Sequence, residues 1–159
     1  MARFFTTKTA CGRLNLKPRR NNKNYNGLAN TVTTMSTILE QYKIKFSTSK
    51  NYGTLNRIQS VDELMTQFIG DHYRLSEVDG LLEGINRVIN GNVNECEDYT
   101  QSLQIAVITP VSVKIYEDLD EYENKNSIEP GFTIPLLDFK LIIEAWRSYL
   151  NDSQLKAGV

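Results

Sequence analysis

The sequence predicts an α+β domain, a small antiparallel β-sheet packed against two or three α-helices and closed by an amphipathic C-terminal helix. Three observations predict it. IPLLDFKLIIEAWRSYL, Ile134 to Leu150, carries large apolar residues at helical spacing. SLQIAVITPVSVKIYEDL, from Ser102, is β-rich and alternates on either side of a Thr-Pro break. Between residues 60 and 91, two segments each open on a helix-start signal and continue as an apolar stripe. The expected organisation is one domain over 36–151, a basic, disordered extension at 1–35 and a short tail at 152–159. A chain of 159 residues can bury a self-sufficient core without disulfides or metals.

Taken in order, Glu40 to Ser47 places Tyr42, Ile44 and Phe46 on one face and Lys43 and Lys45 on the other, the two-residue period of a half-buried strand. SKNYGTLN, from Ser49, supplies turn residues. Ser60-Val61-Asp62-Glu63 has the form of a capping box, with Ser60 as the cap. Val61, Leu64, Met65 and Phe68 follow at helical spacing, and Gly70 is the expected stop. A second box starts at Ser76 with Asp79. Its stripe runs through Val78, Leu81, Leu82, Ile85, Val88 and Ile89 to Gly91, which suits a C-terminal cap. Gly80 and Gly84 lie inside this helix, each costing up to about 1 kcal/mol relative to Ala. Either they admit a close neighbour or they leave the helix marginal.

Leu103, Ile105 and Val107 alternate, as do Val111, Val113 and Ile115, with Thr109-Pro110 between them. Two antiparallel strands joined by a tight turn are expected; the alternative is one long bulged edge strand. Such a pair needs further strands or a covering helix. GFTIP, Gly131 to Pro135, is a short extended segment. The last helix then places Phe139, Ile142, Ile143, Trp146, Tyr149 and Leu150 on one stripe. Burying all six contributes at most about 10 kcal/mol before the entropy cost. Glu144 is placed to pair with Lys140 or Arg147. The spacing leaves open whether the stripe is wholly internal or partly a dimer seam.

The net charge of -1 hides a division. The first 39 residues hold seven Lys and Arg and no acid, while the rest holds 11 Lys and Arg against 19 Asp and Glu, a net of -8. Three readings fit the first 34 residues. One is an unstructured extension, including one created by starting upstream of Met35. Another is an organellar transit peptide, basic and hydroxyl-rich. The third is a nucleic-acid-binding arm using KPRRNNKNYN. The acidic body repels nucleic acid, and no apolar run approaches the roughly 18 residues of a membrane span. Two cysteines, Cys11 and Cys96, do not make a disulfide framework, so a reducing compartment is expected, and an organelle if the arm is a transit peptide.

No phosphate-binding, dinucleotide, nucleophile-elbow or zinc motif occurs, and no enzymatic activity or cofactor is expected. His72, the single histidine, follows a helix-terminal Gly, which points to a surface turn. Cys96 sits among Glu95, Glu97 and Asp98, which disfavour a thiolate. Glu117 to Asn124, EDLDEYEN, lacks the order of a calcium loop and reads as a solvated acidic loop. Its functional reading is a partner-binding surface: Glu117, Asp118, Asp120, Glu121 and Glu123 supply charge, and Tyr116 and Tyr122 add rigid apolar area. Glu95, Glu97 and Asp98 extend the same field if the strands bring them near.

The hairpin LQIAVITPVSVKIYEDL, the acidic segment after it, and a closing helix with Phe139, Trp146 and Tyr149-Leu150 resemble small bacterial toxin-immunity proteins. The resemblance covers Gln101 to Asn151. It implies a non-enzymatic cytoplasmic inhibitor that binds a basic toxin domain, such as a nuclease, and blocks it. The basic arm departs from that resemblance; if the first 34 residues are real and removed on maturation, they favour the alternative, an organelle-imported structural or assembly factor.

Overall fold

The alternating segments on either side of Thr109-Pro110 form two strands, β4 (Ile105–Ile108) and β5 (Ser112–Tyr116) in chain order, paired antiparallel. Thr109 closes the turn between them, its N–H donating to Ser112 O at 2.9 Å. The computed structural model describes residues 27–49, 55–124 and 128–157. Within them the order is α1 (Gly27–Gln41), β1 (Lys45–Ser49), β2 (Leu55–Gln59), α2 (Glu63–Asp71), α3 (Leu75–Ile89), β3 (Cys96–Tyr99), β4, β5, α4 (Leu119–Asn124), β6 (Phe132–Pro135) and α5 (Leu136–Ala157). β3-β4-β5-β6 form an antiparallel meander, and β1-β2 a separate hairpin. This is the expected α+β class. α1 begins ahead of Ser36 and contains Met35, and α5 runs past Asn151. The readings of the basic arm concern mainly residues 1–26, and the turn after Ser49 concerns 50–54; both lie outside the described residues.

The register of the meander sorts its side chains. One face carries Cys96, Ile108, Val113 and Ile134 in one row, with Asp98, Ala106 and Ile115 in the next. It meets α2, α3 and α5 and forms the main core with Met65, Phe68, Ile69, Val78, Ile85, Phe139 and Trp146. Of the six-residue stripe on α5, five residues are buried and Tyr149 is half-buried under the β1-β2 hairpin, stacked on Phe46. The stripe is therefore internal. Lys140 pairs with Glu144, whereas Arg147 reaches across to Asp79 of α3.

Several local expectations shift. Ser60 does not cap α2; Asp62 does, accepting the Met65 N–H at 3.0 Å. Ser60 instead braces the turn through Asp62 O and Thr66. Gly70 lies within the last turn, and the helix ends one residue later. α3 starts at Leu75, where Glu77 accepts the Arg74 N–H at 3.1 Å, rather than at a Ser76 box. Gly91 takes the capping role expected of it, with φ 69°. Its N–H reaches Val88 O, and the Asn92 N–H reaches Arg87 O, the paired bonds that close a helix on a left-handed residue. Glu40 and Gln41 end α1 rather than starting a strand, and Lys43 turns the chain with φ 53°. Tyr42, Ile44 and Phe46 still pack on the core while Lys43 and Lys45 stay exposed. Leu103 also leaves its expected strand: at φ 63° it sits exposed in the β3-β4 turn.

The two helix glycines have different surroundings. A Cβ on Gly84 would lie 3.1 Å from Cys96 Sγ, so β3 rides directly on the helix there. A Cβ on Gly80 would meet nothing within 4 Å.

Candidate functional site

The outer face of the meander carries the charged positions. Glu97, Val107, Lys114 and Thr133 form one row, and Tyr99, Ile105 and Tyr116 the next. EDLDEYEN is not a loop: Leu119–Asn124 is a short helix, α4. Asp118 starts it by accepting the Glu121 N–H at 3.1 Å, and the Leu119 N–H ties it to Leu103 O of the β3-β4 turn. Leu119 and Tyr122 thereby cover Ile105, Val107 and Tyr116, a second small core on this face.

That packing joins segments far apart in sequence. Tyr122 Oη donates to Glu97 Oε1 at 3.3 Å, and Tyr99 Oη donates to Glu97 Oε2. Tyr116 is 7 % exposed and supports Tyr122 from beneath, ring centroids 4.8 Å apart. Glu117, Asp118, Asp120, Glu121 and Glu123 are exposed. Glu117, Asp118 and Glu121 border a recess of about 470 Å³ beside Gln67, Ser102 and Gln104. Three tyrosines register the negative field. Burial and then the Glu97 carboxylate push the Tyr99 hydroxyl up; Tyr122 rises through burial and Glu97, and Tyr116 through burial, Glu129 and Glu95. Glu97 and, from α4, Glu123 both act on Tyr99, while Glu95 and Glu97 both act on Tyr122. Asp98 points to the opposite face. Tyr99 is the member of this surface that sequence patterning did not single out, because CEDY shows no strand alternation.

His72 is not in a surface turn. It is 6 % exposed, with Nδ1 2.9 Å from Phe68 O and Nε2 2.8 Å from Asp98 Oδ2. Its carbonyl accepts the Trp146 indole N–H at 2.8 Å, so the α2-α3 junction is tied to both β3 and α5. Both ring nitrogens face acceptors, the arrangement that favours a ring donating from each. Burial pulls its pKa down, but Asp98 and the Phe68 carbonyl outweigh that and leave it above 6.5. Both nitrogens are thus already engaged within the fold.

Beside this pair lies a cleft of about 280 Å³ between α3 and β3. Cys96 is buried at its floor against Gly84. Glu97 and Tyr99 border it as well, so the cleft opens around the free edge of β3 onto the acidic outer face. Among the described residues no group of three or more His, Cys, Asp or Glu side chains could hold a metal ion, and no helix is long and apolar enough to cross a membrane.

The fold and these two surfaces define an α+β domain with one helix-covered and one acidic, tyrosine-bearing sheet face. Comparison with protein-family models, with curated proteins and with solved structures returns no match for the chain.

Proposed function

We propose that the protein is a non-enzymatic binding module whose acidic sheet face docks on a basic protein, as an immunity-type inhibitor docks on a toxin domain. The observation that carries this reading is the Glu97 carboxylate, which receives the hydroxyls of Tyr99 and Tyr122. It unites β3 and α4 into one surface of fixed tyrosines ringed by carboxylates. Tyrosine held in this way presents apolar area with little entropy left to lose, and carboxylates around it steer a basic partner and exclude acidic ones. The His72 imidazolium and the α3-β3 contacts hold β3 in place, so the surface is preformed.

The test is affinity capture with the tagged full chain, washed at rising salt, followed by titration of the captured protein against wild type and the Asp120→Lys/Glu121→Lys double variant. Each exposed charge pair contributes up to about 1 kcal/mol, so two reversals weaken binding by roughly tenfold and flatten its salt dependence. The captured protein's own activity should fall in proportion to bound inhibitor. Binding that ignores both salt and charge reversal refutes the docking face, and a captured enzyme that stays active in the complex refutes inhibition.

A further inference from the structure

We infer that the α3-β3 cleft is a socket for a single guanidinium group, the arginine side chain of the basic partner held on the adjoining acidic face. Buried polar and apolar groups converge in this cleft. Its lining combines buried apolar Leu81 and Ile108 with buried Thr100 and exposed Tyr99. Gly80 opens onto it where any other residue would place a side chain, and packing does not require glycine there, since a Cβ would touch nothing. Gly84, one turn on, is explained by the close approach of Cys96; Gly80 has no such explanation within the fold.

Charge then selects the occupant. Five carboxylates line the cleft, those of Asp71, Glu77, Glu83, Glu97 and Asp98. His72 pairs with Asp98 at 2.8 Å, and Arg74 lies 3.4 Å from Glu77. Among the described residues Asp71, Glu83 and Glu97 have no basic partner. The carboxylates of Asp71, Glu83 and Glu97 suit a cation with a slender apolar stem, its charged head held on their side of the cleft and away from the His72–Asp98 pair. Between the two common basic side chains, guanidinium fits better: it is planar, pairs in a fork with carboxylates and stacks on an aromatic face such as Tyr99. Ammonium keeps more of its water and lacks that geometry. Through Glu97 and Tyr99 the socket is continuous with the acidic face, so one inserted arginine would anchor a partner already steered there.

This inference rests on the acidic-face reading for the identity of the donor, yet its test needs no partner, so the two fail separately. The isotopically labelled full chain is titrated with N-acetyl-arginine-methylamide, then with the lysine and citrulline analogues, following backbone amides by NMR. Arginine should shift Gly80, Gly84 and the Glu97-to-Thr100 amides in a saturable way, lysine more weakly, and neutral citrulline not at all. Gly80→Leu, whose Cβ meets nothing within 4 Å, places a side chain in the cleft and should abolish the shifts while the rest of the spectrum is retained. Glu83→Gln should weaken binding by roughly two- to fivefold, as expected for one exposed charge. Absence of saturable shifts with arginine overturns the socket, as does equal binding of citrulline or full binding by Gly80→Leu. Tighter probe binding by an Arg19→Gln/Arg20→Gln chain would make the chain's own arm the occupant and overturn the assignment to a partner.

Discussion

Gly80 and Gly84 have the same residue type, one helix and near-identical sequence context, and the structure assigns them opposite responses to one methyl group. Replacing glycine by alanine in a helix interior gains about 1 kcal/mol from backbone entropy and propensity. At Gly80 the new Cβ meets nothing within 4 Å, so the whole gain should survive. At Gly84 the Cβ sits 3.1 Å from Cys96 Sγ, and both residues are buried. The sulfur belongs to β3, which is held at its other end by the Asp98–His72 pair and along its length by β4. It cannot withdraw freely, and overpacking of this kind costs about 1–3 kcal/mol. Gly80→Ala should therefore raise the melting temperature by about 3–5 °C, and Gly84→Ala should leave it unchanged or lower it. Urea and thermal denaturation of both single variants measure this. Cys96→Ala supplies the control. It removes the sulfur that crowds position 84, so Gly84→Ala made in that background should be stabilising, with a favourable coupling of about 1 kcal/mol. Equal stabilisation by both single alanines, or zero coupling in the cycle, would refute the claim that β3 presses on α3 through Cys96.

Two further predictions concern stability. The folded pKa of His72 is raised above its ordinary value of 6.5, so the native state binds the proton more tightly than the unfolded chain does. Its contribution is complete below pH 6.5 and is lost as pH rises through the folded pKa; the urea midpoint should fall over that window, and Asp98→Asn should flatten the fall. A midpoint that rises across the same window contradicts the imidazolium assignment. Asp62→Ala should lose about 1 kcal/mol as an N-cap deletion, and more than Ser60→Ala loses, measured by chemical denaturation. The reverse order would restore Ser60 as the cap.

The sequence made the closing helix and the central hairpin legible because each is specified locally. Phe139 to Leu150 repeats at the helical period, and Val113 and Ile115 alternate with Ser112 and Lys114. Neither needs information from a distant residue. β3 is different. CEDY has little β-propensity, and Cys96–Tyr99 is a strand only because β4 offers it a hydrogen-bonding edge and α3 a surface bare enough to rest on. The place of His72 is hidden from the sequence for the same reason. A glycine before it suggested a solvent-facing turn, but its environment is set by Asp98, 26 residues away, and by Trp146, 74 residues away. The acidic segment shows a third kind of gap. Its charge was plain, but its helical form depends on Asp118 as a cap and on Leu119 and Tyr122 finding apolar cover on β4 and β5.

β3 also invites a plainer explanation of its acids, and the placement of each side chain decides how far that explanation reaches. An edge strand left bare pairs with other chains, and charge along it prevents this. Glu97 fulfils that need wherever it points, as long as it stays solvated. It does not stay fully solvated: both its oxygens accept tyrosine hydroxyls, one from its own strand and one from α4. A carboxylate that served only to keep the edge unpaired would be better left free in water. Asp98 goes further, turning to the covered face to hold a buried imidazolium that itself fixes the α2-α3 junction. Strand CEDY therefore divides its residues between two tasks. Cys96 and Asp98 fasten the edge to the helices, and Glu97 and Tyr99 present it outward. An edge secured from within and decorated without is what the proposed docking on a basic surface requires, and that requirement is one of contacts rather than of net charge.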